Sequence, residues 1–346
     1  MVRSGSYTGP VVEARLYQAL SKNRVRCDAC AHHCVIAAGE RGHCGVRENR
    51  DGTLYSLVYG RACALHMDPI EKKPLYHFMP GTQSLSMATV GCQFTCKNCQ
   101  NWQIAQGPKI GQPIQGEEIS PEELVREAQR YGAPSISYTY TDPNVYFEYA
   151  LDTMKRAQAA GIRNAWVTSG FWTPELFELI RPYLDAANID LKAFDNDTYR
   201  ETYGGRRQPL LDTLKRVADT DIELEVTTLV IPGVNDSQEQ LGGMARFIAE
   251  ELGRNVPWHI SRFSGTISWK MQHLPDTPPE SLKSAERLGS EAGLRFVYLG
   301  NVGFADTNTY CPECGALCVK RNGYRVVRHD DHGRCPSCGA ELGIKG

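Results

Sequence analysis

The chain has 346 residues, 41% of them hydrophobic and 23% charged, with a formal net charge of −2. These values fit a globular protein with one large α/β domain and small appendages, or two ordinary domains. They argue against an extended electrostatic nucleic-acid surface, and the lack of any 18-residue apolar run argues against a membrane-spanning helix. MVRSGSYTGP has no apolar core of a signal peptide, so the expected location is the cytoplasm.

In chain order, residues 11–20 (VVEARLYQAL) read as a short helix, followed by the Cys/His-rich CDACAHHCVIAAGERGHC and a strand at 53–59. DPIEKKPLYHFMPG reads as a loop, with Asp68, Glu71, Lys72 and Lys73 as a solvated charge run. A repeating pattern begins at residue 85. SLSMATV is a strand, and SPEELVREAQRYG is a helix opened by a Ser120–Glu123 capping box with Pro121 at its first position. Strands follow at 135–138 and in NAWVTSG, NIDLKAF (188–194), IELEVTTLVIPG, WHISRF and LRFVYLG, alternating with helical segments. About seven strands alternating with helices over 85–300 predict a parallel sheet, doubly wound or a (β/α) barrel. Glycine, cysteine and charge dominate after residue 305, so the expected divisions are 1–60, 61–304 and 305–346.

Thirteen cysteines fall into three groups, with Cys63 alone and Cys318 beside the last group. Clustering without a secretion signal favours metal centres over a disulfide framework. Cys92, Cys96 and Cys99 lie in GCQFTCKNCQNW as C-x3-C-x2-C, directly after the first strand of the repeat, where barrel enzymes carry their sites. Three thiolates on one tight loop suit three corners of a [4Fe–4S] cluster and leave the fourth iron open, which marks a catalytic centre. Zinc borrowing His66 or His77, or a redox or iron-storage cluster, are the blander readings of the same loop.

That loop resembles the radical S-adenosylmethionine (SAM) superfamily, and implies a partial (β/α) barrel. With DPIEKKPLYHFMPG, LVIPGVNDS and PWHISRF it is similar to the branch of pyruvate formate-lyase activating enzyme, and within it to AmmeMemoRadiSam-system radical SAM enzymes. The resemblance covers roughly residues 25–305. It implies a [4Fe–4S] cluster on Cys92, Cys96 and Cys99 with SAM bound at the open iron. It further implies reductive cleavage of SAM to methionine and a 5′-deoxyadenosyl radical, and hydrogen abstraction from a substrate that the sequence does not identify. A cysteine-rich tail of docking-module type beside the barrel makes a protein or an RNA a plausible class. Activation of a glycyl-radical enzyme is an alternative.

By the same resemblance, YTYTDP stands where the family has a GGE-like motif, so Tyr140, Thr141 and Asp142 are expected to contact SAM, with Lys192 and His259. Asn98 stands where an aromatic residue is usual, leaving adenine support to Phe94 or Trp102. Expected partners are a flavodoxin- or ferredoxin-like one-electron donor, and Memo-like and AMMECR1-like proteins.

Cys311, Cys314, Cys335 and Cys338 form C-x2-C-x20-C-x2-C in two CP-x-CG knuckles, the pattern of a structural zinc ribbon with a basic hairpin at 319–329. Cys27, Cys30, Cys34 and Cys44, with His32, His33 and His43 among them, are expected to hold zinc or a second [4Fe–4S] cluster. The reading of another class is a non-catalytic zinc-binding interaction protein on a degenerate barrel.

Overall fold

The computed structural model describes residues 11–303 and 305–346. Contacts divide the chain into two units, the first Met1–Met67, Ser84–Asp185 and Thr202–Gly205, the second Asp68–Gln83, Ala186–Glu201 and Arg206–Gly346. The Cys-rich segment falls inside the first unit and the ribbon inside the second; residue 304, the expected boundary, lies outside the described residues.

The first unit is built on three parallel strands, β1 (Gln83–Ala88), β2 (Ser135–Tyr138) and β3 (Arg163–Thr168), with β2 in the middle. All four residues of β2 are buried, as a strand covered on both faces must be. Helix α1 (Pro121–Arg130) joins β1 to β2 and starts where the sequence says it should. Ser120 accepts from the Glu123 amide, and the Glu123 carboxylate accepts from the Ser120 amide. Helix α2 (Phe147–Ala159) joins β2 to β3, and α3 (Pro174–Ile180) follows, capped by Thr173.

The expected helix at 11–20 does not form. Val12–Glu13 pairs with Tyr55 and Ser56, and Tyr17–Leu20 pairs antiparallel with Arg24–Cys27. The cause is local. Lys22 and Asn23 both take positive φ (62° and 52°) in a turn closed from the Arg24 amide to the Ser21 carbonyl, the hairpin geometry that matches strand twist. Leu16 and Leu20 are one helical turn apart, but the turn overrides that periodicity.

The second unit carries β4 (Ala186–Asp190), β5 (Glu223–Val230), β6 (Trp258–Arg262) and β7 (Val297–Gly300), parallel and in that order. Helices α4 (Arg207–Ala218), α5 (Gln238–Phe247) and α6 (Pro279–Glu291) connect them. Strand β4 ends four residues before the expected end of NIDLKAF, so Lys192 belongs to the loop after the strand rather than to its face. The ribbon is a three-stranded antiparallel sheet of Thr309–Tyr310, Leu317–Asn322 and Arg325–Arg328. Among the described residues no helix is long and apolar enough to cross a membrane.

Candidate metal centres

The loop after β1 is fastened at both ends, which fixes the three thiols. The Gly91 amide donates to Ile104 O (2.8 Å), Thr95 N to Tyr203 O (2.9 Å) and Lys97 N to Thr202 O (3.0 Å). Phe94 is 1% exposed and sits on Gly205, where a Cβ would come within 2.5 Å of the ring. Gly91 has φ +96°, and a Cβ there would meet Val46 Cγ1 at 2.6 Å. Phe94 is therefore an anchor under the loop, packed on Phe171 at 5.0 Å between ring centres, rather than support for an adenine. Trp102 opens the short helix Trp102–Gln106.

Cys92, Cys96 and Cys99 are half-buried. Burial pushes the Cys92 thiol up to about 12, against the pull of the Lys109 ammonium. Burial also lowers Lys109 from its ordinary range, opposed by its attraction to Cys92, Cys44, Cys96 and Cys99 together. Lys109 Nζ donates to Phe94 O at 2.6 Å, so one cation is anchored to the loop and senses two cysteine groups. Asn98 Oδ1, one residue before Cys99, is buried with no partner within the chain, an acceptor open to a donor from a bound molecule.

The YTYTDP turn meets the loop. Tyr140 holds φ +62°, a conformation uncommon for any residue but glycine, and its carbonyl accepts from Asn101 Nδ2 at 2.9 Å. Asp142 is 4% exposed. Its Oδ1 accepts from Thr168 Oγ1 (2.8 Å) and Asn144 N (3.5 Å), and its Oδ2 from Gln93 Nε2 (2.8 Å) and Ser169 N (2.8 Å). The carboxylate thus ties Gln93, beside Cys92, to the end of β3. Thr141 Oγ1 donates to Thr89 O at 2.8 Å.

The N-terminal cysteines lie against the same loop. Cys27, Cys30, Cys34 and Cys44 line one cavity of about 20 Å³ together with Arg47 and Gln93. Burial raises Cys27 to about 12 and Cys34 to about 11, with Arg47 opposing both. Arg47, 2% exposed, makes a two-pronged pair with Glu148 at 2.9 and 2.6 Å, and its Nε has no partner within the chain. Of the nearby histidines, His32 Nε2 lies 3.1 Å from Gln93 O, and His33 Nδ1 lies 2.8 Å from Asp28.

A family model for the radical SAM superfamily matches residues 87–245, the span that opens just before the three-cysteine loop. An uncharacterized protein of Methanocaldococcus jannaschii is 43% identical, covering 96% of this chain and 99% of that one. The chain belongs to the radical SAM superfamily. The pyruvate formate-lyase-activating enzyme of Clostridium pasteurianum is 22% identical, over 57% of this chain and 86% of its own length. The 4-hydroxyphenylacetate decarboxylase activating enzyme of Clostridium scatologenes is 24% identical, over 52% and 66%. These relatives put it in the branch of the activating enzymes. A solved structure of Streptococcus suis SuiB bound to precursor peptide SuiA has a TM-score of 0.50 at 12% identity, over 67% of this chain and 51% of that chain; the likeness is one of fold.

Membership implies a [4Fe–4S] cluster and SAM, and the loop of this radical SAM protein fits them: three thiols on one anchored turn, a nearby ammonium and a buried acceptor with no partner. In the second unit, Lys192 Nζ pairs with Asp190 at 2.6 Å. Asn235, fully buried, sets that loop. Its Nδ2 donates to Lys192 O (2.7 Å) and Leu229 O (2.8 Å), and its Oδ1 accepts from Ile231 N (2.7 Å). This is what LVIPGVNDS does locally. His259 Nε2 lies 2.6 Å from Glu225, and the imidazole stacks on Tyr298 and meets the edge of Tyr76. Burial pushes Glu225 up, but the hydrogen bond and charge of His259 bring it below its ordinary value.

The expected solvated charge run is mostly interior. Asp68, Glu71 and Lys73 are buried; Asp68 takes Lys73 at 2.6 Å and Lys72 at 2.7 Å, and Glu71 accepts from Gly81 N. Only Lys72 keeps the expected exposure, with 48% of its side chain accessible. Alternating charge could not reveal this, because each buried group has its partner within ten residues and the segment looks locally neutral.

The ribbon thiols come together as their spacing predicts. Cys311 and Cys338 are 3.6 Å apart and Cys314 and Cys335 3.5 Å, close to the ~3.8 Å edge of a tetrahedron with metal–sulfur bonds near 2.3 Å. Among the described residues this is the one group of three or more Cys, His, Asp or Glu whose ligand atoms all lie within 4.8 Å of one another. Cys318 is instead packed into the ribbon core with Val319 and Leu342. His77 bonds to Leu342 O (3.0 Å) and Tyr298 Oη (2.8 Å). Arg321 of the basic hairpin is buried over Tyr76, so not all of that hairpin faces solvent.

Proposed function

We propose that this protein reductively cleaves SAM and abstracts a hydrogen atom from a macromolecular substrate, a protein or an RNA. The observation that carries the reading is the anchored loop of Cys92, Cys96 and Cys99 beside Asn98, whose buried Oδ1 has no partner in the chain. When bound, the cluster and SAM supply the one-electron cleavage that yields the 5′-deoxyadenosyl radical. The chain's own residues position and shield. Phe94 and Gly205 hold the loop, and Asp142 locks Gln93 and the start of the next loop. With its four hydrogen bonds already made, Asp142 would act on the SAM ammonium by charge, and the carbonyls of Tyr140, which also takes Asn101, and Thr141 would offer acceptors. Lys192, held by Asp190 and Asn235, is assigned to the SAM carboxylate. His259 is assigned to SAM by the family resemblance, and its Nε2 is held by Glu225. The ribbon is assigned structural zinc.

The names of the activating-enzyme relatives favour a second, finer reading, activation of a lyase or decarboxylase by abstraction from a glycine of that partner. A flavodoxin- or ferredoxin-class donor supplies the electron in both, and association with Memo-like and AMMECR1-like proteins belongs to the same proposal. The test is anaerobic. Reconstituted full chain, SAM and dithionite should give 5′-deoxyadenosine, and a C92A/C96A/C99A variant none. Zinc alone in the wild type, with SAM intact, would overturn the reading and leave a metal-stapled interaction protein.

A further inference from the structure

We infer that Cys27, Cys30, Cys34 and Cys44 hold a second [4Fe–4S] cluster, placed to pass an electron to the Cys92–Cys99 loop. The electron's destination rests on the function proposed above; the identity of the centre does not. The argument compares the two four-cysteine groups of one chain. A zinc ion binds sulfur at about 2.3 Å and draws four sulfurs to about 3.8 Å of one another. The ribbon four already sit at 3.5 and 3.6 Å across their pairs. The N-terminal four do not close that way. They stand around a cavity of about 20 Å³, above the ~10–15 Å³ that admits one water. Among the described residues only the ribbon thiols gather within 4.8 Å of one another, so no three of the N-terminal four do, a spacing too open for one zinc ion and suited to a core of several atoms.

The lining also offers the core a donor. Arg47 is 2% exposed, borders the cavity and has an Nε donor with no partner in the chain, while both its terminal nitrogens are taken by Glu148. A buried cation with a spare donor suits an anionic centre of sulfides and thiolates. A water in the same place could accept from that Nε but would leave four desolvated thiols around it.

Adjacency gives the centre its role. Gln93, the neighbour of Cys92, borders the cavity, and His32 lies 3.1 Å from the Gln93 carbonyl. A Cβ on Gly91 would be 3.0 Å from Cys44 O. Gly45, next to Cys44, packs on Lys109, where a Cβ would be 3.2 Å from the Lys109 amide, and Lys109 Nζ donates to Phe94 O of the loop at 2.6 Å. In the transfer, a low-potential one-electron reductant loses one electron to the N-terminal centre, which returns to its oxidised state as the loop cluster is reduced by one electron. No bond forms or breaks and no proton moves.

The experiment is metal and sulfide analysis with Mössbauer and EPR spectroscopy on full-length protein reconstituted anaerobically, wild type and C92A/C96A/C99A. The N-terminal residues are untouched in that variant. We expect about eight irons and one zinc per chain in the wild type, and about four irons with a [4Fe–4S] signal in the variant. About four irons and two zincs in the wild type, all iron lost in the variant, would overturn the inference and leave the proposed function standing. About four irons in both would support it while removing the cluster from the loop, and so overturn the proposed function instead. For the relay, the dithionite-reduced wild type should show spin coupling between its two clusters. A spectrum equal to the variant's plus an independent component would overturn the transfer.

Discussion

The buried pair of Arg47 and Glu148 gives the most quantitative expectation. Both side chains are 2% exposed or less, and they meet through two hydrogen bonds of 2.9 and 2.6 Å. Removing one partner of such a pair leaves an uncompensated buried charge and costs about 3–5 kcal/mol, whereas replacing both with apolar groups is far milder. Glu148→Leu should cost at least about 3 kcal/mol, because it leaves the Arg47 guanidinium buried without its carboxylate. At about 2 °C per kcal/mol for a chain of this size, that is a melting temperature lower by ~6 °C. Arg47→Met should cost about as much, since it leaves the Glu148 carboxylate buried without its cation. The double variant should recover at least 2 kcal/mol of the summed loss. The assay is an anaerobic thermal melt of reconstituted protein for the four members of the cycle. Single variants within ~0.5 kcal/mol of wild type, or a double variant equal to the sum of the singles, would refute the reasoning.

Four further outcomes are expected. His77 is held down to about 4 by burial, against an unfolded value of 6.5, so between those pH values the unfolded chain binds the extra proton. Its contribution of about 3 kcal/mol is complete above pH 6.5 and is lost as pH falls toward 4; His77→Gln should flatten the wild-type fall in melting temperature over that window. Gly205→Ala puts a methyl 2.5 Å from the Phe94 ring, and the shifted loop should lose iron on desalting while the ribbon keeps its metal. Asn98→Ala should leave iron content unchanged and weaken SAM binding by roughly 5- to 10-fold in equilibrium dialysis, the worth of one hydrogen bond. Cys314→Ser should release one equivalent of zinc without altering 5′-deoxyadenosine formation.

The barrel elements and their caps were legible because each carries its own local signal. The Ser120 box, Pro121 and the short strand at 135–138 needed nothing distant, and the ribbon announced itself through two matching CP-x-CG knuckles. What escaped the sequence depends on contacts far along the chain or on a backbone angle with no residue-type signature. Tyr140 at positive φ stands where glycine would be the clue, so nothing marks it. The four hydrogen bonds on Asp142 come from residues 93, 144, 168 and 169, and the burial of Asp68, Glu71 and Lys73 is decided by packing. The bond of Asn235 to the Lys192 backbone spans 43 positions, beyond any local pattern. The hairpin at Lys22–Asn23 was missed for the opposite reason: its signal was local and weaker to the eye than the leucines before it.

Asn235 acts as a ruler. Its side chain spans the Ile231 amide, the Leu229 carbonyl and the Lys192 carbonyl at once, so the number of residues between Pro232 and Asn235 sets how far the Lys192 loop is drawn toward β5. One residue added or removed there changes the reach of a lysine forty positions earlier without touching it. In this chain the loop therefore tolerates changes of residue type at Val234 far better than any change of length, an order of tolerance opposite to that of an ordinary surface turn.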